Sequence, residues 1–170
     1  MKKAALVYGF EPFGGYAENV TESVIRSLAH RRDIATEVFA VRFDRRMFAD
    51  ALDRWSPQTI IGLGQHGRAR KLRLERRAVN LWAERGRSPV SIAEGAPRYR
   101  YASFGLPKTS ETVVTYDAGT YVCNFSMYLM AEHCETSGAR FAFIHVPRNY
   151  NPEKAVKYVS MALDGSGATE

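Results

Sequence analysis

The chain has 170 residues, 45% of them hydrophobic and 25% charged. That is the make-up of one ordinary globular unit, and it excludes a disordered, collagen-like or disulfide-stapled chain. The net charge of +6 comes from 18 Arg and 6 Lys against 18 acidic residues; it bears on solubility and on non-specific contact with anions, and it assigns no activity.

No run of eighteen apolar residues is present, so the sequence offers no membrane-spanning helix. The opening Met1-Lys2-Lys3-Ala4-Ala5-Leu6-Val7-Tyr8 is basic, but its apolar run stops at Gly9, too short for a secretory signal. A cytoplasmic location is the expectation. Cys123 and Cys134 are too few for a disulfide framework. On one helix they would stand roughly 16 Å apart, beyond bonding reach. Reduced thiols are expected.

Residues 3–8 read as a first strand, and Gly9-Phe10-Glu11-Pro12-Phe13-Gly14-Gly15 as a glycine-rich loop. Asn19 or Thr21 can cap a helix running to about Arg31, with Val24, Ile25 and Leu28 on one face. Residues 34–43 predict a second strand. Asp44 can cap a helix through Trp55, which Pro57 stops. The continuous apolar run 59–63 predicts a strand buried on both faces.

Residues 72–81 alternate, with Leu72, Leu74, Arg76, Ala78 and Asn80 on one side and Arg73, Glu75, Arg77, Val79 and Leu81 on the other. This predicts one extended or edge strand. Residues 82–108 show little pattern and read as a long surface segment or lid. Then come a short strand at 112–116, a helix over 118–136 that is apolar on most sides, and a strand at 141–146. A helix starts at Asn151-Pro152-Glu153 and ends near Leu163.

Strands alternating with helices imply a three-layer α/β sandwich. Its sheet is a mostly parallel, twisted mixed sheet with helices on both faces. One domain is expected over 1–164, with a flexible C-terminal tail at 165–170.

Among residues able to carry chemistry, Cys123 follows the Asp117-Ala118-Gly119-Thr120 turn at a helix start. Free N–H groups and the positive helix end favour a thiolate there. His145 lies towards the carboxyl end of its strand, on the rim where α/β sheets bind ligands. Cys with His is the arrangement for nucleophilic acyl transfer; the alternative for a cysteine in an apolar helix is packing. Glu75, Asp117 and Glu132 compete as the carboxylate that would orient His145, and periodicity does not choose among them.

The loop 9–15 lacks the spacing of a nucleotide-binding motif. Its two Phe residues suit an apolar ligand wall, or packing beneath the loop. The basic residues Arg68, Arg70, Lys71, Arg73, Arg76, Arg77, Arg85 and Arg87 have only Trp82 among them and match no RNA-binding motif. A solvated or intersubunit surface is the better reading, and nucleic acid is not an expected partner. His30, His66, His133 and His145 show no ligand-pair spacing, so no metal is expected.

Four blocks, in order, resemble the pyroglutamyl peptidase I family of cysteine peptidases. They are Gly9 to Gly15; Gly64-Gln65-His66-Gly67-Arg68 with Glu75-Arg76-Arg77-Ala78-Val79-Asn80; Ala118-Gly119-Thr120-Tyr121-Val122-Cys123-Asn124; and Phe143-Ile144-His145-Val146-Pro147. The resemblance implies Cys123 as nucleophile, His145 as general base and acid, and Glu75 as the orienting carboxylate. It implies that Phe10, Phe13 and Tyr121 wall the substrate pocket, with Gln65 and Arg85 nearby. The implied substrate is a peptide with N-terminal pyroglutamate, with no cofactor and no membrane partner. Self-association as a dimer or tetramer is also implied.

The chain is shorter than is usual in that family. Gly86-Arg87-Ser88-Pro89 follows Arg85, and only residues 108–114 separate Leu106-Pro107 from Thr115. A shifted N-blocked amide or lactam substrate, or a non-catalytic ligand- or RNA-binding module, are the alternatives that a trimmed cover permits.

Overall fold

The computed structural model describes residues 3–165. The elements run β1 (Ala5–Phe10), α1 (Val20–Leu28), β2 (Ile34–Phe39), α2 (Arg45–Trp55), β3 (Thr59–His66), β4 (Leu72–Glu75), β5 (Arg77–Val79), β6 (Tyr99–Tyr101), β7 (Thr112–Thr115), α3 (Val122–Ser137), β8 (Arg140–Pro147) and α4 (Pro152–Gly165). Six strands make one sheet in the order β2-β1-β3-β8-β4-β7, and β5 pairs with β6 in a two-stranded ribbon. β2, β1, β3 and β8 are parallel neighbours, while β4 is antiparallel to β8 and parallel to β7. The fold is the expected three-layer α/β sandwich around a mostly parallel sheet.

Side-chain alternation divides the core into two layers. Ala5, Val7, Ile61, Leu63, Leu72, Leu74, Ala142, Ile144 and Val146 face α1 and α4. Leu6, Tyr8, Phe10, Ile60, Phe141 and Phe143 face α2 and α3. Because α3 is enclosed on most sides, its polar groups need internal partners. Tyr8 and Ser126 share a 2.8 Å hydroxyl hydrogen bond, and the Tyr128 hydroxyl donates to Pro97 O at 2.7 Å. Local signals set the helix ends. Asn19 and Asp44 cap α1 and α2 by accepting from Thr21 N and Arg46 N, each at 3.0 Å. α2 stops at Ser56, left-handed at φ +43°, just before Pro57.

Three expectations change. Residues 72–81 do not form one edge strand: β4 lies inside the sheet between β8 and β7, and the chain leaves it at Arg76 to form β5. The departure is hydrogen-bonded, with Arg76 N donating to Thr115 O at 2.8 Å and Ala102 N donating to Arg76 O at 3.0 Å. Residues 82–108 are more ordered than a patternless lid. They contain β6 and a backbone bridge between Trp82 and Val90, and Ala102 and Phe104 are buried. Gly165, expected in a tail at 165–170, instead closes α4; residues 166–170 lie outside the described residues. Among the described residues, no helix is long and apolar enough to cross a membrane.

Candidate active site

The antiparallel contact between β4 and β8 determines which side chains meet. Arg73 lies opposite His145 and Glu75 opposite Phe143. Directly opposed residues share a face, and positions two apart on that face are diagonal neighbours. Glu75 and His145 therefore converge: His145 Nδ1 and Glu75 Oε1 are 2.8 Å apart. Both are deeply buried, at 1% and 4% exposure respectively. The carboxylate also accepts from Arg73 Nε at 3.0 Å on the same Oε1 and from the Thr115 hydroxyl on Oε2. Burial alone would push the Glu75 carboxyl up. The hydrogen bond and charge of His145, with the bonds from Thr115 and Arg73, outweigh it and hold the group below its ordinary value.

On the other side of β8, Gly64 of β3 is in register with His145. A Cβ on Gly64 would stand 2.5 Å from the Cys123 sulfur, 2.9 Å from the Phe143 ring and 3.1 Å from His145 Cδ2. Sulfur and imidazole thus share the space above one glycine, and their separation cannot exceed the sum of the two distances to that point. Only a residue without a side chain lets the start of α3 come so close to the sheet. The His145 ring is bracketed edge to face by Phe143 at 5.1 Å and by His66 at 5.2 Å between centroids.

Cys123 is 8% exposed. Burial, and then the charge of Glu75, push its thiol up to about 12. Burial thus opposes the thiolate that the helix end was expected to favour. A sulfur whose anion is disfavoured in this way needs a base to take its proton as it attacks. Cys134 lies on the same helix, and both cysteines are free and buried.

The family model described as pyroglutamyl peptidase matches residues 102–166. A pyrrolidone-carboxylate peptidase of Gloeobacter violaceus is 33% identical over 183 residues, covering 92% of this chain and 86% of that protein. The chain belongs to the pyroglutamyl peptidase family. A pyrrolidone-carboxylate peptidase of Thermococcus litoralis is 28% identical, with 91% of this chain and 80% of that protein covered. The structure of a mutant pyrrolidone carboxyl peptidase from P. furiosus superposes with a TM-score of 0.85 at 25% identity, covering 98% of each chain. The pyrrolidone carboxyl peptidase structure from Thermococcus litoralis gives 0.83 at 25% identity, covering 95% of this chain and 92% of that one.

Within this pyroglutamyl peptidase relative, the three expected wall residues and the two expected nearby occupy different environments. Phe13 and Tyr121 meet, with ring centroids 6.0 Å apart, and Tyr121 leads into Cys123. Phe10 is 1% exposed, with its ring against Tyr8 and Phe39 beneath the loop. Gln65 alternates with Gly64 and so points to the α1/α4 side, where its Oε1 accepts from Val20 N at 2.9 Å. Arg85 is exposed at the turn between Trp82 and Val90. Of the rival carboxylates, Asp117 accepts from Gly119 N at 2.9 Å and Glu132 pairs with Arg45. Neither contact involves His145.

Several contributors do not stand out in the sequence. Phe43 lies between Tyr121, edge to face at 5.3 Å, and Trp82, tilted at 4.5 Å, extending the aromatic row from Phe13. Asn124 is wholly buried and clamps the chain beside the thiol. Its Oδ1 accepts from Val79 N, and its Nδ2 donates to Val79 O and Leu81 O, all at 2.9 Å. His66 Nδ1 accepts from Arg68 N at 3.3 Å and Ala69 N at 3.1 Å. Its neutral form therefore carries the proton on Nε2. Burial, then the charges of His145 and Arg73, hold His66 below its ordinary value. The turn residues after His66 are the only sequence signal for that contact; for Phe43 and Asn124 no local signal exists.

Proposed function

We propose that the chain releases pyroglutamate from the amino terminus of peptides through a thioester on Cys123, with His145 as base and acid and Glu75 as its orienting carboxylate. The observation that carries this reading is the Glu75–His145 hydrogen bond with the Cys123 sulfur beside the same imidazole, over Gly64. Glu75 holds Nδ1 and leaves Nε2 to take the thiol proton as sulfur attacks the acyl carbon. The carbonyl electron pair moves to oxygen and then returns. The carbon–nitrogen bond breaks as the imidazolium gives its proton to the departing amine. Water, activated by the same imidazole, cleaves the thioester and releases free pyroglutamate.

Tyr121 supplies no side-chain cap to α3, which supports a role for the first N–H groups of that helix in holding the oxyanion. A pyroglutamyl ring is a neutral lactam. An aromatic wall of Phe13 and Tyr121 suits it, whereas an ordinary amino terminus would carry an unpaired ammonium into an apolar site at a cost.

Two apolar layers on one sheet support reading residues 1–164 as one catalytic unit. Two free thiols support a reducing, cytoplasmic location. Self-association as a dimer or tetramer follows from the family resemblance, and sedimentation of the purified protein reads it.

The deciding experiment is release of a dye from a pyroglutamyl reporter amide by purified protein. Release that disappears in a folded Cys123→Ala variant is expected. No release from folded wild type at high enzyme concentration overturns the reading.

A further inference from the structure

The proposed chemistry brings a buried carboxylate near a sulfur that must become negative. Glu75 opposes that charge: it is the second cause, after burial, that disfavours ionisation of Cys123. A carboxylate that orients the imidazole therefore works against the nucleophile unless something neutralises it.

Arg73 is placed to do so. It stands opposite His145 on the antiparallel β4/β8 pair, on the same face as Glu75. Its Nε donates at 3.0 Å to Glu75 Oε1, the oxygen that also bonds His145, and its Nη2 donates at 3.2 Å to Asp117 O. The second bond ties the guanidinium to the turn that leads into Cys123. Arg73 is 26% exposed, so its charge remains partly hydrated and inexpensive to maintain, while Glu75 lies below it.

We infer that Arg73 is a positioning residue of this site: its guanidinium offsets part of the charge of Glu75, so that the carboxylate can orient His145 while opposing negative charge on the Cys123 sulfur less. The other groups around the pair fit this division. Thr115 on β7 donates to the second carboxylate oxygen without adding charge. His66 on β3 accepts from the turn that follows it and is held below its ordinary value, first by burial. Tyr8 on β1, towards the Cys123 side, is pushed well up by burial and stays a neutral phenol. Among the described residues, Arg73 is therefore the cation that meets Glu75 directly, besides the imidazolium formed in the reaction.

The inference deepens the proposed function, and part of its test needs no substrate. Alkylation of Cys123 by iodoacetamide, followed by mass spectrometry of its peptide across pH, reads the thiol alone. Arg73→Gln is expected to slow alkylation near neutral pH by about tenfold and to move the rate–pH profile up by about one unit. Arg73→Lys, which keeps the charge, is expected to recover most of the loss. In the Arg73→Gln, Glu75→Gln double variant the charge to be neutralised is gone, so alkylation is expected to match Glu75→Gln alone. Where Arg73→Gln does not fold, that double variant against Glu75→Gln carries the comparison.

With the pyroglutamyl reporter, the kcat profile of Arg73→Gln is expected to shift with alkylation while KM holds. Superimposable wild-type and Arg73→Gln alkylation profiles overturn the inference. So does an Arg73→Lys variant as slow as Arg73→Gln, or a double variant slower than Glu75→Gln. Absence of reporter turnover with the alkylation shifts intact would instead count against the peptidase reading alone.

Discussion

The two faces of the central sheet are made from the same strands and differ in almost every respect that matters. Towards α1 and α4, β3, β4 and β8 present Ile61, Leu63, Leu72, Leu74, Ala142, Ile144 and Val146. Towards α2 and α3 the intervening positions are Gly62, Gly64, Arg73, Glu75, Phe143 and His145. One face buries apolar surface and makes no demand on geometry beyond close packing. The other gives up apolar burial at two glycines and three polar residues, and gains the candidate triad. A period of two residues lets one strand serve both ends, because a side chain and its chain neighbour belong to different layers.

If that separation holds, neighbouring substitutions should have opposite consequences. The largest effect is expected at Glu75. Glu75→Gln keeps the shape and an oxygen for His145 Nδ1 but removes the charge that stabilises an imidazolium. Reporter turnover is expected to fall about 10²–10⁴-fold with the fold retained. Unchanged turnover in a folded variant would remove Glu75 from the mechanism and leave the face merely polar.

Gly64→Ala attacks the same face by bulk. The added methyl would stand 2.5 Å from the Cys123 sulfur and 2.9 Å from the Phe143 ring, so both must shift. A displacement on the order of 1 Å at the nucleophile is expected to reduce kcat/KM by about a hundredfold. Overpacking should also lower stability by about 1–3 kcal/mol. A fully active Gly64→Ala would mean that α3 is less firmly seated than the packing shows.

Leu74→Ala sharpens the contrast from the other side. Leu74 sits between Arg73 and Glu75 in sequence yet is buried in the opposite layer. Its truncation is expected to cost about 2–5 kcal/mol in denaturant unfolding while kcat, measured well below the melting temperature, stays near wild type. Loss of kcat comparable with that of Glu75→Gln would show that the two layers are not independent.

Alternation is also why much of the site is legible in the amino-acid sequence. The pattern over residues 72–81 puts Arg73 and Glu75 on one side and Leu72 and Leu74 on the other, and that assignment holds along β4. The helix starts at Asn19, Asp44 and Asn151 are legible because capping is local chemistry. What local pattern does not supply is the partner of each strand. β4 reads as an edge because its alternation includes charged residues. Inside the sheet those charges are satisfied by Glu75, His145 and Asp117 O, contacts that span up to seventy positions.

The ribbon of β5 and β6 escapes sequence reading for the same reason. Three-residue strands carry little periodicity, and Tyr99-Arg100-Tyr101 gains its place from Arg100 bonding Glu135 on α3. The choice of Glu75 over Asp117 and Glu132 comes from resemblance, because a diagonal across an antiparallel pair leaves no mark in a single chain. The burial of Cys123 is not legible locally either: helix-end chemistry is local, whereas the burial that opposes it depends on the surrounding fold.

The smallest expected effect tests the charged face through stability rather than turnover. Glu75 in the folded protein is held below its ordinary carboxylate value of 4.5. A carboxyl with a depressed folded value stabilises the fold most when the pH lies above its unfolded value, and that contribution fades as pH falls through the folded value. Glu75→Gln has no such group. The difference in melting temperature between wild type and Glu75→Gln is therefore expected to stay level from neutral pH down to about pH 5. It should then narrow on further acidification, as the wild-type carboxyl takes up its proton and comes to resemble the amide. A series of thermal unfolding curves on both proteins reads this directly. A gap that widens as pH falls would mean that burial, rather than the bonds from His145, Thr115 and Arg73, dominates Glu75, and that the polar face is held together by packing alone.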